Sequence, residues 1–139
     1  MTTNQLPAFA EGRNYKIALL MDDDPFSLNL AQIALEESGV SNVITAEDGQ
    51  TGIRLFDQMS VKPDLIVCDL YMPVMDGIEV LNELGNRNYA GGVILVTAGD
   101  LTIMEIATKL ALRGSKLKLL GAFPKPLSSA CICNALGLT

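Results

Sequence analysis

Side chains that can bind cations and phosphate stand directly after apolar segments at four places in this 139-residue sequence. They are the run Asp22-Asp23-Asp24, then Asp69, Thr97 and Lys125. Carboxylates held close together repel one another and therefore need a cation. Oxygen ligands suit Mg²⁺, which usually takes one or two protein carboxylates together with a phosphate. The set therefore predicts Mg²⁺-dependent phosphoryl chemistry.

The chemistry of such a set follows from its functional groups. An aspartate beside the metal can act as a nucleophile and form an acyl phosphate. The Thr97 hydroxyl and the Lys125 ammonium can hold the phosphoryl oxygens, where negative charge accumulates during transfer. Asp24 precedes Pro25, and we interpret it as a helix cap rather than a ligand. Asp76-Gly77 is interpreted as a structural turn.

The composition excludes several classes of catalytic and binding site. The chain has no histidine and a formal net charge of −6. It therefore holds no histidine metal site, no Ser-His-Asp or Cys-His pair and no phosphohistidine carrier of its own. The acidic balance also argues against a nucleic-acid-binding face, which needs clustered Lys and Arg.

The elements that must position these groups are visible as an alternating pattern. From Tyr15 onward, five short apolar runs alternate with segments of helical periodicity. The runs cover residues 16–21, 42–45, 64–68, 93–96 and 117–120 with Phe123. This pattern predicts a doubly wound α/β domain with a parallel sheet. Ligand sites in such sheets form outside the carboxyl ends of the strands, where the polar groups fall.

The rest of the chain carries fewer signals. We expect residues 1–14 to be a flexible N-terminal extension and residues 15–139 to be the domain. No signal peptide and no apolar stretch of membrane-spanning length is recognisable, which predicts a cytoplasmic location without membrane contact. The three cysteines, Cys68, Cys131 and Cys133, suit small buried side chains in a reducing compartment.

Four motifs in this order resemble the receiver domain of bacterial two-component response regulators. They are Met21-Asp-Asp-Asp-Pro25, Asp69-Leu-Tyr-Met-Pro-Val-Met-Asp-Gly77, Val96-Thr-Ala98 and Lys125-Pro126. The resemblance covers Tyr15 to about Gly137. It implies a flavodoxin-like receiver fold with a five-stranded parallel sheet in the order 2-1-3-4-5 and five helices. It also implies a cis peptide bond before Pro126.

The resemblance implies a role for each matching residue. Asp69 matches the phosphoacceptor. Asp22 and Asp23 match the acidic pair that binds Mg²⁺, with Asp23 as the direct ligand and Asp22 acting through water. Tyr71 holds the place that supplies a backbone carbonyl to the metal.

Thr97 and Lys125 match the hydroxyl and the lysine that hold the phosphoryl group. The implied partner is a sensor histidine kinase or a phosphotransfer protein, whose phosphohistidine supplies the phosphoryl group. The chain itself is then a signalling receiver rather than an enzyme, and it switches an attached or partner effector.

Two departures from the family pattern lie near the end of the chain. Receivers usually carry Tyr or Phe three residues before the lysine, where this chain has Ala122. Phe123 follows it, and alternation along a strand predicts that Phe123 points to the other face. The span from Thr97 to Lys125 is 28 positions (125 − 97), several more than receivers usually have, and the excess lies around residues 112–120. This long segment, with Leu120-Gly-Ala-Phe-Pro-Lys-Pro-Leu127, resembles receivers that precede EAL-type cyclic di-GMP phosphodiesterase domains. Residues 128–139 carry no charge, so this end should pack on the sheet, on a following domain or on a second copy in a homodimer.

Other functional classes fit the residues less well. A haloacid-dehalogenase-like Mg²⁺ phosphatase is the main alternative, but its second acid would fall at Tyr71. A flavodoxin-like flavin-binding module would place a phosphate-binding loop where Asp22 to Asp24 would repel phosphate. A degenerate receiver that only mediates protein contacts would not need the full set of acidic, hydroxyl and ammonium groups.

Overall fold

The computed structural model describes residues 15–137, with all side chains except those at positions 103, 104, 107, 110 and 111. The predicted extension at residues 1–14 lies outside the described residues.

The apolar runs form one parallel sheet. Its strands are β1 (Ile17–Met21), β2 (Asn42–Ala46), β3 (Leu65–Asp69), β4 (Gly92–Thr97) and β5 (Lys118–Pro124). Every neighbouring pair is parallel, and the order across the sheet is β2-β1-β3-β4-β5. Strands β3 and β4 are buried along their whole length, as expected for strands covered by helices on both faces. The predicted doubly wound fold and the strand order 2-1-3-4-5 are confirmed.

The intervening segments form helices that begin at capping residues. They are α1 (Pro25–Glu37), α2 (Gly49–Gln58), α3 (Gly77–Asn86), α4 (Leu101–Ala111) and α5 (Ser129–Leu136). Asp24, Asp48 and Ser128 each accept a hydrogen bond from a backbone amide of the first turn that follows. Asp76 and Glu79 form a reciprocal capping box at the start of α3. These caps hold the strand-to-helix loops at the carboxyl edge of the sheet.

The core is divided between the two faces of the sheet. On one face, Ala34 and Leu35 of α1 pack with Ile132 and Leu136 of α5. On the other face, residues of α2 and α3 such as Phe56 and Leu84 pack on β1, β3 and β4. Helix α5 is thus one of the layers of the domain, and its apolar side lies on the sheet.

Strand β5 contains an irregularity that sets which side chains face each layer. Val93 pairs with Leu119 and Ile94 pairs with Gly121, so Leu120 is an extra residue in the ladder. Beyond it, Ala122 packs on the core beneath α2 and α3, whereas Phe123 packs on the core beneath α1 and α5. The prediction that Phe123 points away from the face of Ala122 is confirmed.

Among residues 15–137, no helix is long and apolar enough to cross a membrane.

Candidate functional site

The predicted site residues converge at the carboxyl edge of the sheet. Asp22 directly follows β1, Asp69 is the last residue of β3 and Thr97 is the last residue of β4. Lys125 directly follows β5. Because the strands are parallel and adjacent, their ends meet at one place.

Asp22, Asp23 and Asp69 form an acidic cluster. One carboxylate oxygen from each residue lies within 4.8 Å of the others. Asp22 and Asp69 are buried, with 2% and 3% of their surface exposed, whereas Asp23 is exposed. The possible metal ligands of the cluster are three carboxylates, which are hard oxygen donors, and the exposed Asp23 faces solvent, which supplies water ligands. This donor set fits Mg²⁺, which keeps several waters when protein carboxylates bind it.

Lys125 is the cation already present in the cluster. Its Nζ lies 2.9 Å from Oδ2 of Asp22 and 3.0 Å from Oδ2 of Asp69. The three carboxylates carry three negative charges against this single positive charge, so a divalent cation would balance the site. The Lys125-Pro126 peptide bond is cis, as the resemblance implied. The Lys125 amide donates to the Thr97 carbonyl oxygen at 3.0 Å, which fixes the lysine beside β4.

Burial and charge shift the ionisation of this pair. Burial raises the pKa of Asp69, and the neighbouring Asp22 charge raises it further, against the opposing effect of Lys125. Burial lowers the pKa of Lys125, but its hydrogen bonds to Asp22 and Asp69 outweigh that effect and the net shift is upward. The lysine therefore stays protonated at neutral pH and is available to bind anionic oxygens.

Asp24 is turned away from the cluster by its capping role. Its carboxylate accepts from the Phe26 amide at 3.2 Å and from the Ser27 hydroxyl at 2.9 Å. The Ser27 and Phe26 hydrogen bonds lower the pKa of Asp24. The Asp24 amide in turn donates to Oδ1 of Asp22 at 2.9 Å, so the start of α1 orients the buried Asp22 carboxylate. The interpretation of Asp24 as a cap is confirmed.

Thr97 and Tyr71 flank the cluster. Thr97 is fully buried, and its hydroxyl oxygen accepts from the Gly99 amide at 2.8 Å. The Tyr71 amide donates to Oδ1 of Asp69 at 3.4 Å, which places the Tyr71 backbone beside the carboxylate. The Tyr71 side chain is half exposed.

Sequence reasoning missed the close packing of Gly77 under Asp69. A Cβ at position 77 would lie 2.8 Å from the Asp69 carbonyl oxygen and 2.8 Å from the Leu70 Cα. The Gly77 amide also donates to the Leu70 carbonyl oxygen at 2.8 Å. The structural role predicted for Asp76-Gly77 is confirmed, because Asp76 caps α3 and Gly77 is where α3 begins against the backbone of the candidate nucleophile. The sequence signal was a glycine directly after the capping aspartate.

A second concave region lies at the opposite edge of the sheet, and two of its cationic lining residues already have partners within the fold. This groove of about 590 Å³ is lined in part by Lys62, Arg87 and Tyr89. Arg87 pairs with Asp57 and Glu83 at 2.7 Å. Lys62 lies over the Phe56 ring, 4.5 Å from its centre. Arg87 and Lys62 thus already have partners within the fold, and the acidic cluster remains the better candidate for chemistry.

A comparison with known protein families supports the prediction of a receiver domain. The family model described as response regulator receiver domain matches residues 18–136. The chain belongs to the response regulator receiver domain family. Receiver domains are signalling domains that work with histidine kinases and phosphotransfer proteins. Membership in this family replaces the alternative of a haloacid-dehalogenase-like phosphatase.

Two curated relatives are longer proteins, and this chain matches only a part of each. The alkaline phosphatase synthesis transcriptional regulatory protein PhoP of Bacillus subtilis is 40% identical over 87 residues, which are 63% of this chain and 35% of PhoP. The transcriptional regulatory protein TrcR of Mycobacterium tuberculosis is 36% identical over 108 residues, which are 76% of this chain and 40% of TrcR. The chain thus spans well under half the length of these relatives.

A solved structure supports the fold. The CheX-CheY-BeF3-Mg+2 complex from Borrelia burgdorferi contains a chain that superposes with a TM-score of 0.74 at 21% identity. The match covers 87% of this receiver and 86% of that chain.

Proposed function

We propose that this receiver is a phosphoacceptor in which Asp69 takes a phosphoryl group from a phosphohistidine in a Mg²⁺-dependent reaction. The observation that carries this proposal is the buried Asp69 carboxylate, held 3.0 Å from the Lys125 ammonium within a cluster of three aspartates. The donor is a sensor histidine kinase or a phosphotransfer protein. Because these 139 residues contain no histidine, the donor imidazole lies outside this sequence.

The transfer follows from the groups in the site. A carboxylate oxygen of Asp69 attacks phosphorus, the bond from phosphorus to the donor imidazole nitrogen breaks, and its electron pair stays on that nitrogen. Lys125 binds a phosphoryl oxygen and stabilises the charge that develops on it. The Thr97 hydroxyl accepts from Gly99 and still has its own proton to donate to another phosphoryl oxygen.

The metal would be held by the acidic cluster. Asp23 and Asp69 would bind Mg²⁺ directly, Asp22 would bind it through water, and the Tyr71 backbone carbonyl would complete the protein ligands. When bound, Mg²⁺ neutralises charge on the phosphoryl oxygens. The CheX-CheY complex from Borrelia burgdorferi includes Mg²⁺ and BeF3, and this supports the proposal by analogy of fold.

The domain that this receiver controls and the oligomeric state of the protein are predictions from the sequence. An attached EAL-type cyclic di-GMP phosphodiesterase domain is predicted from the segment around residues 112–120, and the sequence of the gene beyond the codon for Thr139 tests it. A stop codon or a different domain there would contradict it. A homodimer is tested by the mass of the protein in solution, and a monomer at all concentrations would contradict it.

Acetyl phosphate provides a direct test of phosphoacceptor activity, because it replaces the unknown partner. With Mg²⁺, the intact mass of the protein should increase by one phosphoryl group, and EDTA should abolish the increase. Asp69→Asn should abolish it, whereas the exposed Asp57→Asn should retain it. No increase in the wild type, or an equal increase in Asp69→Asn, would overturn the proposal.

A further inference from the structure

An aromatic ring from the loop after β3 rests on the backbone next to Thr97. A Cβ built on Gly99 would lie 2.5 Å from Cε2 and 3.2 Å from Cζ of Tyr71. The same Cβ would lie 3.3 Å from the Thr97 hydroxyl oxygen. The Tyr71 ring and the Thr97 hydroxyl therefore border the same small space, which is open because residue 99 is glycine.

Strand β5 offers no aromatic ring on this face. Ala122 is the side chain of β5 that packs toward the core beneath α2 and α3. Phe123 packs toward the opposite face, where its ring lies 2.6 Å from the position of a Cβ built on Gly121. Leu95 lies in the core beneath α2 and α3, and alternation along β4 puts Thr97 on that same face. The aromatic ring found against the turn that begins at Thr97 is therefore that of Tyr71, from the loop after β3, and not a ring of β5.

A hydrogen bond links the two sides of this contact. The Gly99 amide donates to the Thr97 hydroxyl oxygen at 2.8 Å, so the Thr97 side chain and the Gly99 backbone are held together. The Tyr71 amide, in turn, donates to the Asp69 carboxylate. One residue therefore touches the candidate phosphoacceptor through its backbone and the Thr97–Gly99 turn through its ring.

We propose that Tyr71 is a positioning residue whose ring, resting on Gly99, sets the place of the Thr97 hydroxyl and moves when that hydroxyl turns to a phosphoryl group. The inference rests on the proposed function, because it requires a phosphoryl group at Asp69. Half of the Tyr71 side chain is exposed, so the ring can shift without opening the core. The contact gives this receiver a hydroxyl–aromatic coupling that does not use β5.

Fluorine NMR can follow this ring because the chain has only three tyrosines and no tryptophan. Protein labelled with 3-fluorotyrosine gives resonances for Tyr15, Tyr71 and Tyr89, and the one lost in Tyr71→Phe is assigned to Tyr71. Steady-state phosphorylation with acetyl phosphate and Mg²⁺ should shift the Tyr71 resonance beyond the shift caused by Mg²⁺ alone. Tyr89 is buried and donates its hydroxyl to the Pro63 carbonyl oxygen, so its resonance should stay in place.

Variants at Thr97 and Gly99 show whether the Tyr71 resonance shifts because Thr97 moves or only because the ring lies near the phosphorylated Asp69. In Thr97→Ala, protein whose phosphorylation is verified by mass should lose the phosphorylation-dependent shift, and Thr97→Ser should restore it. In Gly99→Ala, the new Cβ should displace the ring and move the Tyr71 resonance before any phosphorylation. A spectrum of the Thr97→Ala protein with its other resonances unchanged verifies that the variant is folded.

The outcomes distinguish this inference from the proposed function. A wild-type chain that takes up no phosphoryl group overturns both. A phosphorylated wild type whose Tyr71 resonance does not move overturns the positioning role alone. The same holds if Thr97→Ala shows the full shift, because the ring would then respond to the phosphoryl group directly.

Discussion

The ammonium group of Lys125 lies 3.0 Å from Oδ2 of Asp69, although 56 positions separate the two residues in the chain. The same group lies 2.9 Å from Oδ2 of Asp22. One cation at the end of β5 therefore compensates two buried carboxylates at the ends of β1 and β3. The electrostatic balance of the metal-free site depends on this lysine.

Removing that cation should destabilise the metal-free protein. Since breaking a mostly buried pair leaves uncompensated charge, Lys125→Met should lower the free energy of unfolding at pH 7 by about 2–3 kcal/mol. The loss should shrink as the pH falls, because Asp69 has a raised pKa and is protonated before an ordinary aspartate. Urea unfolding without divalent cations, at several pH values, measures both effects.

The matched control for this variant is Lys116→Met, which removes an exposed lysine. It should leave stability nearly unchanged. Equal losses in the two variants, or a loss in Lys125→Met that does not decrease toward acidic pH, would contradict the role assigned to Lys125.

Two adjacent aspartates should differ in their effect on Mg²⁺ affinity. Asp23→Asn removes a proposed direct ligand and should weaken Mg²⁺ binding by at least about tenfold. Asp24→Asn should leave the affinity unchanged, because Asp24 caps α1 and asparagine caps helices comparably well. Isothermal titration calorimetry measures both affinities. A larger effect of Asp24→Asn than of Asp23→Asn would show that the ligands are assigned wrongly.

Cys68 should resist thiol reagents in the folded protein. Burial raises the pKa of its thiol, and the nearby Asp69 charge raises it further, so formation of the reactive thiolate is disfavoured. Cys131 and Cys133 are partly exposed. Iodoacetamide labelling followed by peptide mass should modify these two first and reach Cys68 only after unfolding. Labelling of native Cys68 at the rate seen in urea would contradict its burial.

Much of this architecture could be predicted because the apolar runs and the helix-capping residues of the sequence agree with the parallel topology of the sheet. Strands β3 and β4 are nearly continuous apolar runs, and the structure extends each by one residue at its carboxyl end, to Asp69 and Thr97. Capping aspartates marked the starts of α1 and α2. The polar groups of the site follow the strands directly, so the parallel topology alone brings them to one edge.

Other features depend on tertiary packing and left little trace in the sequence. The extra residue Leu120 in β5 arises from pairing with β4, which a single strand does not encode. The contact between Tyr71 and Gly99 joins two loops that are distant along the chain. The close approach of Gly77 to Asp69 likewise arises only when α3 is placed against β3.

Two glycines at opposite ends of α3 should respond oppositely to alanine. Gly77→Ala puts a Cβ 2.8 Å from the backbone of Asp69, so it should destabilise the protein by about 1–3 kcal/mol. A Cβ at Gly85 would meet only Ser115, at 3.8 Å, in ordinary contact. Gly85→Ala should therefore stabilise the helix by about 0.5–1 kcal/mol. Thermal unfolding measures both, and a stable Gly77→Ala variant would contradict the described packing.

The location of the phosphoryl group tests the central claim most directly. Borohydride reduces an aspartyl phosphate to homoserine, which marks the modified residue permanently for peptide mass spectrometry. After phosphorylation with acetyl phosphate and Mg²⁺, we predict homoserine at position 69 and at no other aspartate. Homoserine at Asp22 or Asp23, or its absence from a phosphorylated chain, would contradict the assignment of Asp69 as the phosphoacceptor.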